Sequence, residues 1–212
     1  VTVTRLLLAS TSPARLATLR SAGIEPVVHP PGVDEELFLA EAETRFGPLA
    51  PVDVALTLAR AKSEAVSSTV SGDILVLGCD SVLEFDKQLF GKPADAAQAV
   101  QRWRLMRGGS GILHTGHWLV DVRSPADGGT GGAIGASAST HVHFADLTDD
   151  EIDTYVATGE PLRVAGAFTI DGLGGPFIAS LEGDHHNVIG LSLPLLRNLL
   201  ADLGVAITDL WR

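Results

Sequence analysis

Ile74-Leu75-Val76-Leu77-Gly78-Cys79-Asp80-Ser81-Val82-Leu83-Glu84-Phe85 is the stretch from which the fold is read. Ile74 to Gly78 is an apolar run of strand length, which marks a buried strand. Ser81 to Phe85 continues it, and Asp86-Lys87-Gln88 reads as a turn. Between the two halves the run delivers one carboxylate, Asp80, among small neighbours. A carboxylate there can hold a metal or orient a water for attack. The competing reading is an Asp paired with backbone at a strand end, but the small neighbours leave room for a ligand. Cys79 reads as a small buried residue and not as a nucleophile.

On the N-terminal side, Pro51 to Val70 has a helical stripe of Leu56, Ala59, Ala65 and Val66. Before it lies an acidic, weakly periodic segment, Glu36 to Phe46. Val3 to Ala9 is a second apolar run of strand length. The polar turn Ser10-Thr11-Ser12-Pro13 follows, then helical spacing at Leu16, Leu19 and Ala22. Ser12 suits an N-cap, Pro13 the first helical position and Gly23 the stop. Pro26 to His29 reads as a short strand.

On the C-terminal side, Ala94 to Arg107 is helical, with Val100, Trp103 and Met106 on a core stripe. Gly111 to Val122 and Ser137 to Asp146 read as strands. The connector from about Arg123 to Ala136 reads as a flexible hairpin loop. Thr148 and Glu151 form a capping-box pair ahead of a helix to about Ala157. Gly166 to Gly175 is a Gly-spaced loop, and Leu191 to Leu203 a last helix closed by Gly204. Strands interleaved with helices specify an α/β or α+β fold with a mixed sheet.

The chain has 212 residues and a formal net charge of -11, from 15 Lys and Arg against 26 Asp and Glu. With 45% hydrophobic residues it buries a real core, and its length suits one large domain or two small lobes sharing a sheet. The acidic balance argues against a nucleic-acid polymer and leaves room for one small polyanion in a local cationic pocket. No run is long enough to span a membrane, and Val1 to Ser10 has the wrong layout for a signal peptide. A single cysteine excludes an internal disulfide, so a cytoplasmic chain is expected. Of the 15 cations only Lys62, Lys87 and Lys92 are Lys.

Four short motifs border the predicted elements. Ser10-x-Ser12-Pro13-x-Arg15 sets a hydroxyl, free N–H groups and a planar fork at a strand-to-helix turn, a set that grips phosphate oxygens. Its plain alternative is a capped helix with a surface Arg. Val33-Asp34-Glu35-Glu36 supplies oxygen ligands for Mg²⁺ or Mn²⁺, or is a solvated acidic loop. Asp80 is the third. Phe90-Gly91-Lys92-Pro93 holds a Lys between a permissive Gly and a rigid Pro, without the pattern of a P-loop.

These motifs, in this order, make the chain resemble the Maf family of nucleoside triphosphate pyrophosphatases. The resemblance runs through Leu8 to Arg15, Val33 to Glu35, Leu58 to Lys62, Gly78 to Val82, Gly91 to Asp95 and Thr115-Gly116. It continues through Leu147-Thr148, Gly159 to Leu162, Ala165 to Phe168, Gly172 to Gly174, Glu182 to Asp184 and Asn187 to Leu191. It implies two lobes on a central twisted mixed sheet flanked by helices, with a cleft between them. It implies metal-dependent cleavage of a nucleoside triphosphate to monophosphate and pyrophosphate, with a divalent Mg or Mn cofactor. By resemblance, Asp80 is the catalytic carboxylate. Ser10, Arg15, Lys62 and Lys92 are phosphate contacts, and Glu35 and Asp80 are metal ligands. A nucleotide-binding regulator of cell division is the alternative, and a homodimer is a family expectation.

The subgroup that prefers thymidine and uridine triphosphates has Arg, Thr and Gln where this chain has Ala14, Ser81 and Asp171. All three positions are associated with base selection. Asp171 accepts hydrogen bonds only when ionised, which suits a base edge presenting donors and points away from thymidine triphosphate. The other reading of Asp171 is a turn residue facing solvent. His141 and His143 read as one surface strand face.

Overall fold

The computed structural model describes residues 4–212. Val3, where the first predicted strand begins, lies outside them. Seven strands form one mixed sheet in the order β2-β1-β3-β5-β6-β7, with β4 paired to β3 off this path. The strands are β1 (Arg5–Ala9), β2 (Val27–Val28), β3 (Ile74–Phe85), β4 (Gln88–Phe90), β5 (Ser110–Asp121), β6 (Ala133–Phe144) and β7 (Ile178–Glu182). The helices are α1 (Pro13–Ser21), α2 (Glu35–Phe46), α3 (Pro51–Ser67), α4 (Ala96–Met106), α5 (Asp149–Ala157), α6 (His185–Ile189) and α7 (Leu193–Asp202). β1 runs parallel to β2 and β3, while all other pairings are antiparallel.

The founding stretch is one continuous strand, as its two apolar halves predict. Alternation along β3 separates two layers. Leu75, Leu77 and Cys79 enter a core with Leu8, Leu19, Leu119 and the apolar side of α7. Leu83 joins a second core with Trp103, Leu113, Phe144, Ile152 and Tyr155 under α4 and α5. On the opposite face Ile74 and Val76 pack with Val66, and Val82 packs with Val54, Ala55 and Leu58 of α3.

Two glycines allow α3 to lie unusually close to the sheet. A Cβ on Gly78 would stand 2.2 Å from the Ala59 carbonyl oxygen, and one on Gly116 would stand 2.3 Å from that of Ala55. Facing them, α3 presents the small residues Ala55, Ala59 and Ser63, all fully buried. The buried face of α3 is therefore rotated from the predicted stripe: Ala59 and Val66 are buried, while Leu56 and Ala65 are only half-buried.

Other differences have local causes. The helix expected to Val70 stops at Ser67. The acidic segment expected as a loop at Glu35 and Glu36 is the start of α2, because Asp34 caps it by accepting the Leu37 N–H at 3.0 Å. The turn after β3 closes a hairpin: Asp86 and Lys87 take φ of 51° and 62°, and Gln88 pairs back to Phe85 in β4. The connector is shorter than predicted because β6 begins at Ala133. It is organised by Asp121, whose carboxylate takes Arg123 Nε at 2.8 Å and the Thr130 N–H at 2.8 Å. The Thr148–Glu151 capping box is present, and α5 ends at Ala157. β7 and α6 carry no periodic signal in the sequence. No helix among the described residues is long and apolar enough to cross a membrane.

Candidate active site

β1 pairs with β3 only as far as Ala9↔Gly78, and β4 joins the same edge from Leu83↔Phe90 onward. Asp80, Ser81 and Val82 therefore lie on a short gap in that edge. Parallel strand ends are where α/β sheets present ligand-binding loops. The Ser10–Ser12 turn leaves β1 beside this gap.

Asp80 points to the α3 face. Its cross-strand partner is Gly116, so the same close approach that seats α3 brings Lys62 onto the carboxylate. Lys62 Nζ donates to Asp80 Oδ1 at 2.5 Å and pairs with Glu35 Oε1 at 2.8 Å. The Lys62 and Asp80 side chains are 10% and 12% exposed, against 49% for Glu35. Burial pushes the Asp80 carboxyl above its ordinary value; the charges of Lys62 and Arg15 oppose that rise, and Glu35 adds to it. Each carboxylate uses one oxygen on Lys62 and, among the described residues, keeps the other free of hydrogen bonds. Two such oxygens, on Asp80 and Glu35, form a donor set that fits a hard divalent ion.

Ser81 points to the other face and reaches Arg15. The Arg15 guanidinium, buried at the start of α1, donates to three oxygens: Gly190 O at 2.8 Å, Ser10 Oγ at 3.2 Å and Ser81 Oγ at 3.0 Å. All three are neutral. Among the described residues Arg15 has no carboxylate within ion-pair distance. Ser81 Oγ lies 2.9 Å from Thr115 Oγ1, which donates to Asn187 O at 3.0 Å. Asn187 is fully buried and donates to Leu113 O and Thr140 Oγ1, both at 3.0 Å. His117, also fully buried, accepts the Ser192 N–H on Nε2 at 2.8 Å and places Nδ1 3.1 Å from Thr115 O. Burial and then the Arg15 charge push its pKa down to about 4, so the ring is neutral with its proton on Nδ1. This belt separates the two cores on that face of β3 and β5 and fixes the turn that carries Gly190.

The structure thus brings together Ser10, Arg15, Ser81, Glu35, Lys62 and Asp80. Ala14 is half-buried in the first turn of α1, next to Arg15. Lys92 is exposed and makes no hydrogen bond or ion pair to this group; the preceding Gly91 is tied back by Arg102 Nη1 at 2.6 Å and by the Gly166 N–H at 3.2 Å. Asp171 is exposed on the 166–175 loop, and its side chain makes no hydrogen bond among the described residues. Glu160 pins that loop, accepting from Tyr155 Oη at 3.0 Å, Thr169 Oγ1 at 2.5 Å and the N–H groups of Leu173 and Gly174 at 3.1 and 3.0 Å. Cys79 is fully buried, and burial pushes its thiol up to about 12, which excludes a nucleophile.

Thr115, Asn187, Gly190 and His117 have no role that local sequence assigns. Each acts on a partner distant in the chain; Gly190 and Arg15 are 175 positions apart. The Thr-Gly and Asn-Val-Ile-Gly pieces of the resemblance are the only signal that could have marked the first three.

The Maf-like protein family model matches residues 5–203. The chain belongs to the Maf family. Curated relatives include a protein named nucleoside triphosphate pyrophosphatase from Salinispora tropica, 57% identical over 98% of this chain and 87% of its own length. Proteins of the same name from Leifsonia xyli and Streptomyces coelicolor are each 55% identical over 98% of this chain, and 96% and 94% of theirs. The matched residues 5–203 run from β1 through α7 and include the elements that carry the gap in the β3 edge. The Maf assignment therefore covers both faces of the site.

Proposed function

We propose that this Maf-family chain hydrolyses nucleoside triphosphates to the nucleoside monophosphate and pyrophosphate, as the names of its relatives suggest. The observation that carries the reading is Arg15, a buried guanidinium held by three neutral oxygens with no carboxylate partner among the described residues. A buried charge without a counter-ion is costly, and a polyphosphate supplies the missing anion. Lys62 stands across the β3 edge as a second cation, and Lys92, exposed on the loop between β4 and α4, is the third.

Water attacks the α-phosphorus in line with the oxygen that bridges to the β-phosphate. The bond to that bridging oxygen breaks, and its electron pair leaves with pyrophosphate. Asp80 takes the proton of the attacking water and returns it to solvent. Burial raises the basicity of Asp80, while Lys62 keeps it ionised and oriented. Asp80 and Glu35 would hold Mg²⁺ or Mn²⁺ through their free oxygens. Such an ion, when bound, supplies charge neutralisation and a more acidic water. Arg15 and Lys62 stabilise the charge that spreads over the phosphoryl oxygens. Asp171 selects base edges that present donors, with Ala14 and Ser81 shaping the entrance. The chain acts in the cytoplasm on surplus or modified triphosphates.

The test is turnover on a panel of normal and modified triphosphates with Mg²⁺ or Mn²⁺, with products resolved by chromatography. Monophosphate and pyrophosphate in equal amounts are expected, with thymidine and uridine triphosphates not the fastest. Asp80→Asn should lower turnover on the order of 100-fold. Diphosphate plus inorganic phosphate, or tight binding without turnover, would overturn the reading.

A further inference from the structure

A second donor cluster stands where β7 leads into α6, and the mechanism above makes no use of it. Asp184, His185 and His186 each offer one ligand atom, and these atoms all lie within 4.8 Å of one another. The two imidazole rings lie side by side, with centroids 3.8 Å apart. The Asp184 main chain is anchored, since its carbonyl accepts from Thr140 Oγ1 at 2.9 Å. Its Oδ1 accepts the His186 N–H at 3.0 Å and lies 3.2 Å from His186 Nδ1. Its Oδ2 is shut off from solvent and has no hydrogen-bond partner.

That last atom is the one that asks for a ligand. A carboxylate oxygen buried without a donor is unfavourable, and native structures avoid it unless an ion or water completes it. No described residue supplies a donor to it. His185 and His186, the second with Nδ1 3.2 Å from the Oδ1 of the same carboxylate, supply nitrogen ligands, which hard ions such as Mg²⁺ disfavour and borderline ions accept. We infer that Asp184, His185 and His186 form a site for a borderline divalent transition ion of the zinc type, distinct from the Asp80–Glu35 oxygen pair.

The geometry is close but not closed. Bonds of about 2.0–2.1 Å to a tetrahedral ion set the ligand atoms roughly 3.4 Å apart. The exposed His185 side chain supplies the adjustment by a change of rotamer. Three protein ligands leave a fourth position for water or an anion. The site opens the same short helix whose following Gly190 carbonyl holds Arg15, and whose Asn187 carbonyl holds Thr115. An ion here ties the head of that helix to the sheet through Asp184 and Thr140, and so steadies the seat of Arg15.

The test is calorimetric titration of the metal-free full chain with Zn²⁺ in excess Mg²⁺, which occupies the oxygen pair. Co²⁺ is the second probe, read by its visible ligand-field absorption. One equivalent is expected, with His185→Ala and His186→Ala each weakening binding by about tenfold or more. His141→Ala and His143→Ala, on the exposed face of β6, should leave it unchanged. His185 is exposed, so His185→Ala keeps the test sound even if His186→Ala fails to fold. In parallel, Zn²⁺ should raise the Tm of the unaltered chain and not that of His185→Ala. No Zn²⁺ binding in excess Mg²⁺, His185 and His186 variants that both bind as tightly as the unaltered chain, or binding lost only in Asp80→Asn would overturn the assignment.

Discussion

Replacing Lys62 with Met isolates the electrostatics of the site, because Met keeps most of the apolar stem and removes the charge. Lys62 is the direct partner of Asp80, and both side chains are nearly buried, at 10% and 12% exposed. Removing one member of a buried pair costs about 3–5 kcal/mol. The stranded carboxylate has an escape, which is to bind a proton. From an unfolded pKa near 3.9, that escape caps the electrostatic penalty at about 4 kcal/mol at pH 7 and about 1.5 kcal/mol at pH 5. Glu35 adds little, because it is half-exposed and water takes over its solvation. We expect Lys62→Met to lower the unfolding free energy by about 3 kcal/mol at pH 7 and by half that or less at pH 5. The sign follows from burial: Asp80 is an acid held above its ordinary pKa, so the folded state binds its proton more tightly than the unfolded chain does. Its ionisation costs stability as pH rises, and costs more once Lys62 is gone. Urea unfolding followed by tryptophan fluorescence at the two pH values measures the difference. Adding Asp80→Asn to Lys62→Met should recover most of the loss, since a neutral amide needs no counter-charge. A penalty that does not change between pH 5 and pH 7, or a double variant as unstable as Lys62→Met alone, would refute the argument.

Gly116→Ala should destabilise by about 3 kcal/mol and also cut turnover, because its Cβ meets the Ala55 carbonyl at 2.3 Å and α3 must lift, carrying Lys62 away from Asp80; thermal unfolding and kinetics check both. Arg15→Lys keeps the charge but reaches only one of the three acceptors, so kcat/KM for triphosphates should fall at least about tenfold. Asp121→Asn should cost about 2 kcal/mol at neutral pH. Burial pushes the Asp121 carboxyl up, but hydrogen bonds from Arg123 and Thr130 outweigh it and bring it down to about 2. That contribution is complete above its ordinary value of 3.8 and is lost as pH falls toward 2, so the two unfolding curves should converge in acid.

Much of the fold is legible in residue order. The strand through Asp80, the Ser12-capped helix, the α5 capping box and the core stripe of α4 each follow from signals within a few residues. β7 and α6 escape such a reading, because the five residues of α6 are too few for a helical period and the β7 strand has an irregular burial pattern. The same distinction separates the site residues. Asp80 announces itself at the end of an apolar run, and Arg15 and Lys62 stand in short motifs. Gly78 and Gly116 read as ordinary strand glycines until α3 is placed against them.

The sequence by itself determined the mixed α/β class, the family and the identity of the charged groups, because capping, apolar period and motif order are local properties of the chain. Tertiary structure alone decided how those groups are used. Lys62 becomes the partner of Asp80 only because two glycines let α3 touch the sheet. Arg15 becomes a buried cation held by neutral oxygens only because the turn at Gly190 closes over it from the far end of the chain. Both outcomes depend on close approach between segments far apart in sequence, which no local pattern encodes.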